Sequence, residues 1–105
     1  MSEIQRIRQK YPNRYPFIIY PENHLQPEID KNKFLVPGDL TIGNLILVVK
    51  NRLKITKEKS LIFTIKFNGH VIIPETSALA SSIYQKYSDY DGFIRIYYLI
   101  ENAFG

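Results

Sequence analysis

Short apolar runs separated by proline and glycine turns occur along the whole chain, and their order restricts the fold more than any other feature. The strongest signal is Asn68-Gly69, a two-residue hairpin turn between apolar residues 61–67 and 70–73. Three further runs are rich in aromatic and β-branched side chains, as strands are: residues 17–20, 33–36 and 93–99. These segments predict a protein built around a β-sheet.

Helical patterns alternate with these strand-type runs. Ser2 and Gln5 have the spacing of a capping box, which predicts a short helix that ends before Tyr11. Thr41 can cap a second helix, whose apolar side chains recur at helical spacing: Ile42, Leu45, Ile46, Val49 and Leu53. Ser77 is predicted to cap a third helix, which continues to residue 87. The predicted order is therefore α-β-β-α-β-β-α-β.

This order predicts an α+β protein of the ubiquitin-type β-grasp class. Without the first helix it reads ββαββαβ, and we expect a four-stranded mixed sheet with helices packed on it and one short N-terminal helix. A ferredoxin-like domain is the nearest alternative, but it needs a helix between the first two strands. Residues 21–29 contain Pro21 and Pro27, which disfavour a helix there.

Length and composition limit the domain organisation. A chain of 105 residues supports one hydrophobic core, so we expect a single domain over residues 1–105. Within it, residues 1–14 are predicted to be a helical extension and residues 100–105 a C-terminal tail. The longest aliphatic run, residues 45–49, is far shorter than the about 20 residues of a membrane-spanning helix.

The sequence lacks the motifs of several kinds of chemistry. With no cysteine, it cannot form a disulfide scaffold, a thiolate zinc site or a cysteine nucleophile. Gly38 and Gly43 have the glycine spacing of a phosphate-binding loop, but the lysine that such a loop needs next is replaced by Asn44. His24 and His70 have no metal-ligand spacing, so no metal site is predicted. The chain reads as a binding module or as a substrate of other enzymes.

Positive charge is concentrated in two places. The formal net charge of the chain is +4. Two groups of basic residues stand out: Arg6, Arg8, Lys10 and Arg14, and Lys50, Arg52, Lys54, Lys57 and Lys59. Such clusters favour acidic peptides, anionic lipid or nucleic acid, although cations at a helix C-terminus also stabilise the helix itself. Nucleic-acid binding is the less favoured alternative.

Four sequence blocks resemble one family. Residues 7–16 (IRQKYPNRYP), 30–43 (DKNKFLVPGDLTIG), 91–94 (DGFI) and 101–105 (ENAFG) resemble, in order, segments of the autophagy ubiquitin-like modifiers. That family includes GABARAP and the microtubule-associated protein light chain three group. The blocks cover most of the chain, and the resemblance implies the same β-grasp fold as the element order.

The resemblance implies covalent attachment to lipid. In this family an activating and a conjugating enzyme pass the terminal glycine as a thioester and join it to phosphatidylethanolamine, which anchors the protein on autophagosomal or related membranes. Gly105 matches that glycine, and Phe104 is the residue expected to contact those enzymes and a deconjugating cysteine protease. No other cofactor is implied, and the unconjugated form is expected in the cytoplasm.

The resemblance also implies docking of short aromatic-x-x-aliphatic motifs from cargo receptors and adaptors. The aromatic pocket would be lined by Glu3, Ile7, Pro16, Ile18, Leu35 and Phe93. The aliphatic pocket would be lined by Phe34, Val36, Pro37, Leu40, Leu45, Val48 and Val49. The docking strand and its electrostatics would involve Lys31, Lys33 and Arg52.

The chain departs from the family pattern in two respects. It has room for one N-terminal helix where family members usually carry two, and two family aromatics fall near Ile62 and Thr64. Two alternatives stay open: a ubiquitin-like modifier conjugated to protein, and a non-conjugated basic β-grasp module that binds nucleic acid.

Overall fold

The structure is a computed structural model that describes residues 2–102. It contains eight elements in the predicted order: α1 (Glu3–Lys10), β1 (Arg14–Pro21), β2 (Lys33–Pro37), α2 (Ile42–Leu53), β3 (Lys59–Phe67), β4 (His70–Ile72), α3 (Ala80–Tyr87) and β5 (Ile94–Asn102).

The first two helices begin where their caps were predicted. The Ser2 hydroxyl accepts from the N–H of Gln5 at 3.1 Å, and the Gln5 side chain accepts from the Ser2 N–H at 2.8 Å. Thr41 and Asn44 form the same reciprocal box at the start of α2. Lys54 ends α2 in the left-handed conformation. The two N-terminal caps satisfy helix N–H groups that have no partner within the helix.

The sheet is mixed and has five strands in the order β2-β1-β5-β3-β4. β1 and β5 are parallel, while the other neighbours are antiparallel. The predicted four strands are one too few, because β4 joins the sheet as a three-residue arm paired only with β3. Asn68 and Gly69, both at positive φ, form the predicted turn between them.

The core lies between one face of the sheet and the helices α2 and α3. Phe17, Ile19 and Tyr98 from the sheet are fully buried, and Ile42 and Val49 of α2 pack in the same cluster. Full burial of each such side chain contributes about 1.5–3 kcal/mol to stability. The helical spacing in the sequence therefore identified the face of α2 that packs on the sheet.

The third helix starts later than predicted. It begins at Ala80 with Leu79 as a cap that makes no side-chain hydrogen bond, so the prediction for Ser77 was wrong. Residues 76–78, which precede this helix, instead bond to the start of α2. The carbonyls of Thr76 and Ala78 accept hydrogen bonds from Gly43 and Ile42 at 2.8 and 2.9 Å, which satisfies the first turn of α2 and holds this segment out of a helix.

The last strand is longer than predicted. β5 continues to Asn102, which lies opposite Lys59 of β3, so residues 100–102 belong to the sheet. The predicted conjugation residues Phe104 and Gly105 lie outside the described residues. Within residues 2–102, each helix is too short or too polar to span a lipid bilayer.

Candidate peptide-docking site

Strand β2 lies at an edge of the sheet and, among residues 2–102, pairs only with β1. Its register places Lys33 opposite Ile18, Phe34 opposite Phe17 and Leu35 opposite Pro16. An edge strand presents unpaired backbone groups that can accept another extended chain.

The hydrogen-bond pattern identifies which backbone groups of β2 face outward. The N–H of Ile19 donates to the carbonyl of Asn32 at 2.8 Å, which fixes the alternation of the β1–β2 ladder. Phe34 and Val36 therefore direct their backbone groups to β1. Lys33 and Leu35 direct theirs to the open edge, where an added strand would find two N–H donors and two carbonyl acceptors.

A small apolar cavity opens beside this edge. It measures about 140 Å³ and is lined by residues from three elements and the segment before β5: Glu3, Ile7, Pro16, Phe17, Lys33, Phe34, Leu35 and Phe93. Five of the six residues predicted for the aromatic pocket line it. Ile18 does not line it, while Phe17, Lys33 and Phe34 complete the wall.

Helix α1 supplies one wall of this cavity and is anchored by Arg8. The guanidinium lies 4.4 Å from the ring centroid of Tyr15 and 5.7 Å from that of Tyr84. It also donates to the carbonyl of Arg14 at 2.7 Å. The cation–π contacts and the charged hydrogen bond together hold α1 against β1 and α3.

A second contact fixes the other end of α1. Gly92 has φ +89°, and a Cβ there would lie 2.7 Å from Cγ2 of Ile4. The Gly92 carbonyl accepts a hydrogen bond from the hydroxyl of Tyr84 at 2.6 Å, and burial raises the pKa of that tyrosine. Glycine at position 92 therefore allows α1 to approach the turn that precedes β5.

The same turn is held by an ion-pair cluster. Arg95 donates to Asp89 and Asp91, each at 2.8 Å. The hydrogen bonds from Arg95 lower the pKa of Asp91, because they favour its charged form. The cluster orders the turn that carries Gly92 and leads to Phe93 in the cavity wall.

The residues predicted for the aliphatic pocket do not form one surface. Val36, Leu45 and Val49 are core residues, each almost completely buried. The remaining four are at least partly accessible: Phe34, Pro37, Leu40 and Val48. Phe34 shares a face of β2 with the core residue Val36, and Val48 is exposed on α2, so we call the accessible apolar side chains of Phe34 and Val48 the apolar surface at α2.

Cations stand on both sides of the edge. Lys33 Nζ lies 3.4 Å from Glu3 and 5.4 Å from the ring centroid of Phe93. Arg52 lies 3.9 Å from Asp30 and 5.3 Å from the ring centroid of Phe34. Lys31 is exposed just before β2. These positive charges are available to carboxylates that flank an incoming peptide.

The anchoring of α1 could not be read from the sequence. Arg8, Tyr15 and Tyr84 lie on three elements, and no spacing rule connects a helix residue to a residue of a distant helix. The capping box and Ile7 did indicate a short helix with one apolar face. They did not indicate where that helix docks.

The five-stranded mixed sheet, crossed by α2 and open at β2, defines a ubiquitin-like protein of β-grasp type. Residues 1–105 match the protein family described as "Autophagy protein Atg8 ubiquitin like". The chain therefore belongs to the Atg8 family and is an autophagy ubiquitin-like modifier.

Similar proteins come from distant organisms. Autophagy-related protein 8a of Arabidopsis thaliana is 44% identical, with 100% of this chain and 84% of the relative aligned. Autophagy-related protein 8 of Mycosarcoma maydis is 42% identical over 99% of this chain and 86% of the relative. The crystal structure of Trypanosoma brucei ATG8 superposes with a TM-score of 0.82 and 36% identity over 99% of this chain and 87% of that one.

A further similar structure contains a peptide. Plasmodium falciparum Atg8, solved in complex with a Plasmodium falciparum Atg3 peptide, superposes with a TM-score of 0.79. It is 29% identical, and the match covers 92% of this chain and 84% of that chain.

Proposed function

We propose that this chain is joined through Gly105 to phosphatidylethanolamine on autophagosomal or related membranes. Membership of the Atg8 family along the whole chain carries this proposal. β5 extends to Asn102, the last residue that the structure describes, three residues before Gly105. Glycine suits a terminus that must enter a narrow enzyme channel, because it has no Cβ. The adjacent residue, Phe104, would contact the activating and conjugating enzymes and a deconjugating cysteine protease.

Mass spectrometry of the membrane-bound form tests the conjugation. A phosphatidylethanolamine adduct on Gly105 is expected after incubation with Atg8-type activating and conjugating enzymes, ATP and vesicles. A Gly105→Ala variant should give no adduct. Conjugation of that variant at the wild-type rate would contradict the proposal, while an isopeptide-linked protein product would support the alternative of a protein modifier.

The second proposed activity is docking of an extended peptide along β2. The outward backbone groups of Lys33 and Leu35 would pair with the peptide, and the two sides of the edge would receive its side chains. In a strand, residues three apart point to opposite faces. The aromatic side chain would enter the cavity at α1, and the aliphatic side chain would pack on Phe34 and Val48 at α2.

Peptide spacing gives a sharp test of this docking mode. An acidic aromatic-x-x-aliphatic peptide is expected to bind with a Kd of about 1–10 μM, corresponding to about 7–8 kcal/mol. Removing one intervening residue puts both anchors on the same face of the strand, so that affinity should fall at least about tenfold. Equal affinity of the two peptides would contradict docking as an added strand.

The proposed partners follow from these two activities. They are conjugation and deconjugation enzymes, together with cargo receptors and adaptors that carry the motif. The complex of Plasmodium falciparum Atg8 with an Atg3 peptide supports a conjugating-type enzyme as one partner. We assign the chain to the group of GABARAP and light chain three on the sequence blocks alone, and we assign it no catalytic residue of its own.

A further inference from the structure

Four lysines beyond the docking site form a second basic surface. Lys50 lies in the last turn of α2, Lys54 caps its end, Lys57 lies in the connection that follows, and Lys59 begins β3. All except the half-buried Lys50 are exposed. Within residues 2–102, none of these lysines forms an ion pair with an acidic side chain. We call them, together with Leu47, the basic patch.

The fold brings the basic patch next to the C-terminal tail. Lys59 lies opposite Asn102, and Ser60 lies opposite Glu101, in the antiparallel pair of β3 and β5. Gly105 is the third residue after Asn102, and an extended segment of three residues spans at most about 10 Å. A lipid attached at Gly105 therefore holds Lys59 close to the bilayer surface.

An exposed leucine accompanies these lysines. Leu47 is 58% exposed and shares a shallow cleft with Lys50 on α2 and Ser60 on β3. Lysines around an apolar side chain are typical of surfaces that lie on anionic bilayers. Two carboxylates, Glu58 and Glu101, lie in the same region and are outnumbered by the lysines.

We propose that the basic patch contacts anionic phospholipid headgroups when the chain is anchored in a membrane. This proposal rests on conjugation at Gly105. An acidic protein is the other candidate ligand, but the short tail favours the membrane because it keeps the basic patch at the bilayer whatever else is bound. Contact at this surface orients the domain on the membrane.

A chemical tether tests the basic patch without the conjugation enzymes. Because the chain has no cysteine, one cysteine appended after Gly105 can be coupled selectively to maleimide-bearing phosphatidylethanolamine in vesicles. The vesicles contain phosphatidylcholine alone, or equal parts of phosphatidylcholine and phosphatidylserine. Acetylation by an N-hydroxysuccinimide ester, quantified by mass spectrometry, then reports the accessibility of each lysine.

We expect Lys57 and Lys59 to react about fivefold more slowly on the anionic vesicles, as expected from the attraction of a lysine to such a surface. Lys31 and Lys86 serve as exposed controls and should react equally on both vesicles. The protection should disappear in about 1 M salt, where the screening length falls to about 3 Å. Equal reactivity of Lys57 and Lys59 on both vesicles would overturn the proposal and leave the surface to an acidic protein.

Two triple variants of equal net charge separate position from total charge. Lys54→Gln with Lys57→Gln and Lys59→Gln should reduce flotation of the untethered chain with anionic vesicles at low salt at least about fivefold. Lys10→Gln with Lys31→Gln and Lys86→Gln should reduce it less. Equal losses would overturn the proposal. A missing adduct on Gly105 in the enzymatic assay would instead contradict conjugation, whatever the tethered chain shows.

Discussion

The two edges of the sheet, β2 and β4, are both open, but they are built differently. β2 has five residues, of which Lys33 is the first, and lies between the cavity at α1 and the apolar surface at α2, with Arg52 beside it. β4 has three residues, ends before Pro74, and presents side chains such as Val71, which is 65% exposed. An open edge supplies backbone groups, whereas neighbouring helices supply the pockets that select a partner.

The largest effect is expected from a proline that blocks one edge. Leu35→Pro removes an outward N–H and part of the cavity wall. The affinity for the aromatic-x-x-aliphatic peptide should therefore fall about 100-fold, because a hydrogen bond and an apolar contact are both lost. Isothermal calorimetry measures this change. The fold should persist, because that N–H makes no bond within the sheet.

Val71→Pro is the matched control on the other edge. The two-residue hairpin turn places Val71 at a position whose backbone groups face away from β3. This variant should bind the peptide with the wild-type affinity. A similar loss in both variants would show that the peptide does not distinguish the two edges.

Detaching α1 is expected to have the next largest effect. Arg8→Ala removes the cation–π contacts with Tyr15 and Tyr84, so the helix wall of the cavity should loosen and peptide affinity should fall about tenfold, or about 1.4 kcal/mol. Arg6→Ala, on the same helix at an exposed position, is the control and should change affinity less than twofold in the same fluorescence titration. Equal affinities of the two variants would mean that α1 contributes nothing to docking.

A pair of glycine substitutions separates backbone strain from contact with α1. Gly92→Ala and Gly69→Ala both place alanine at positive φ, which should lower the free energy of unfolding by about 1 kcal/mol each. Only Gly92→Ala also pushes against Ile4, so it alone should weaken peptide binding, by about fivefold. Urea denaturation and peptide titration measure the two effects. Unchanged affinity in Gly92→Ala would contradict a fixed position of α1.

The smallest effects should come from the charges around β2. Lys33→Gln should lower the affinity for an acid-flanked peptide about twofold, as expected for an exposed ion pair. Asp30→Asn should raise the affinity by a similar factor, because Asp30 competes with the peptide for Arg52. Both effects should vanish at high salt in a fluorescence titration. Persistence at high salt would indicate contacts other than charge.

The element order and the residues of β2 could be predicted because they depend on local patterns. Turn residues, caps and apolar spacing act over a few positions, so the hairpin at Asn68 and the caps Ser2 and Thr41 were correct. The start of α3 was wrong, because carbonyls near Thr76 bond to α2 instead of forming their own helix turn.

The shape of the site depends on contacts that no local pattern encodes. Arg8 meets Tyr84 only because α1 folds back across the start of β1. The resemblance assigned Ile18 and Val49 to pockets, yet the packing of the sheet buries Ile18 beside the cavity and Val49 in the core. Whether a residue near the site faces the cavity or the core depends on where the neighbouring helix packs.

Backbone amide exchange tests the central claim, docking of an added strand on β2, most directly. Hydrogen exchange followed by NMR on the saturated complex should show new protection at the amides of Lys33 and Leu35. Phe34 and Val36, already bonded to β1, should change little, and β4 should remain as in the free chain. Binding of the peptide without protection of Lys33 and Leu35, or with protection of β4 instead, would contradict the account.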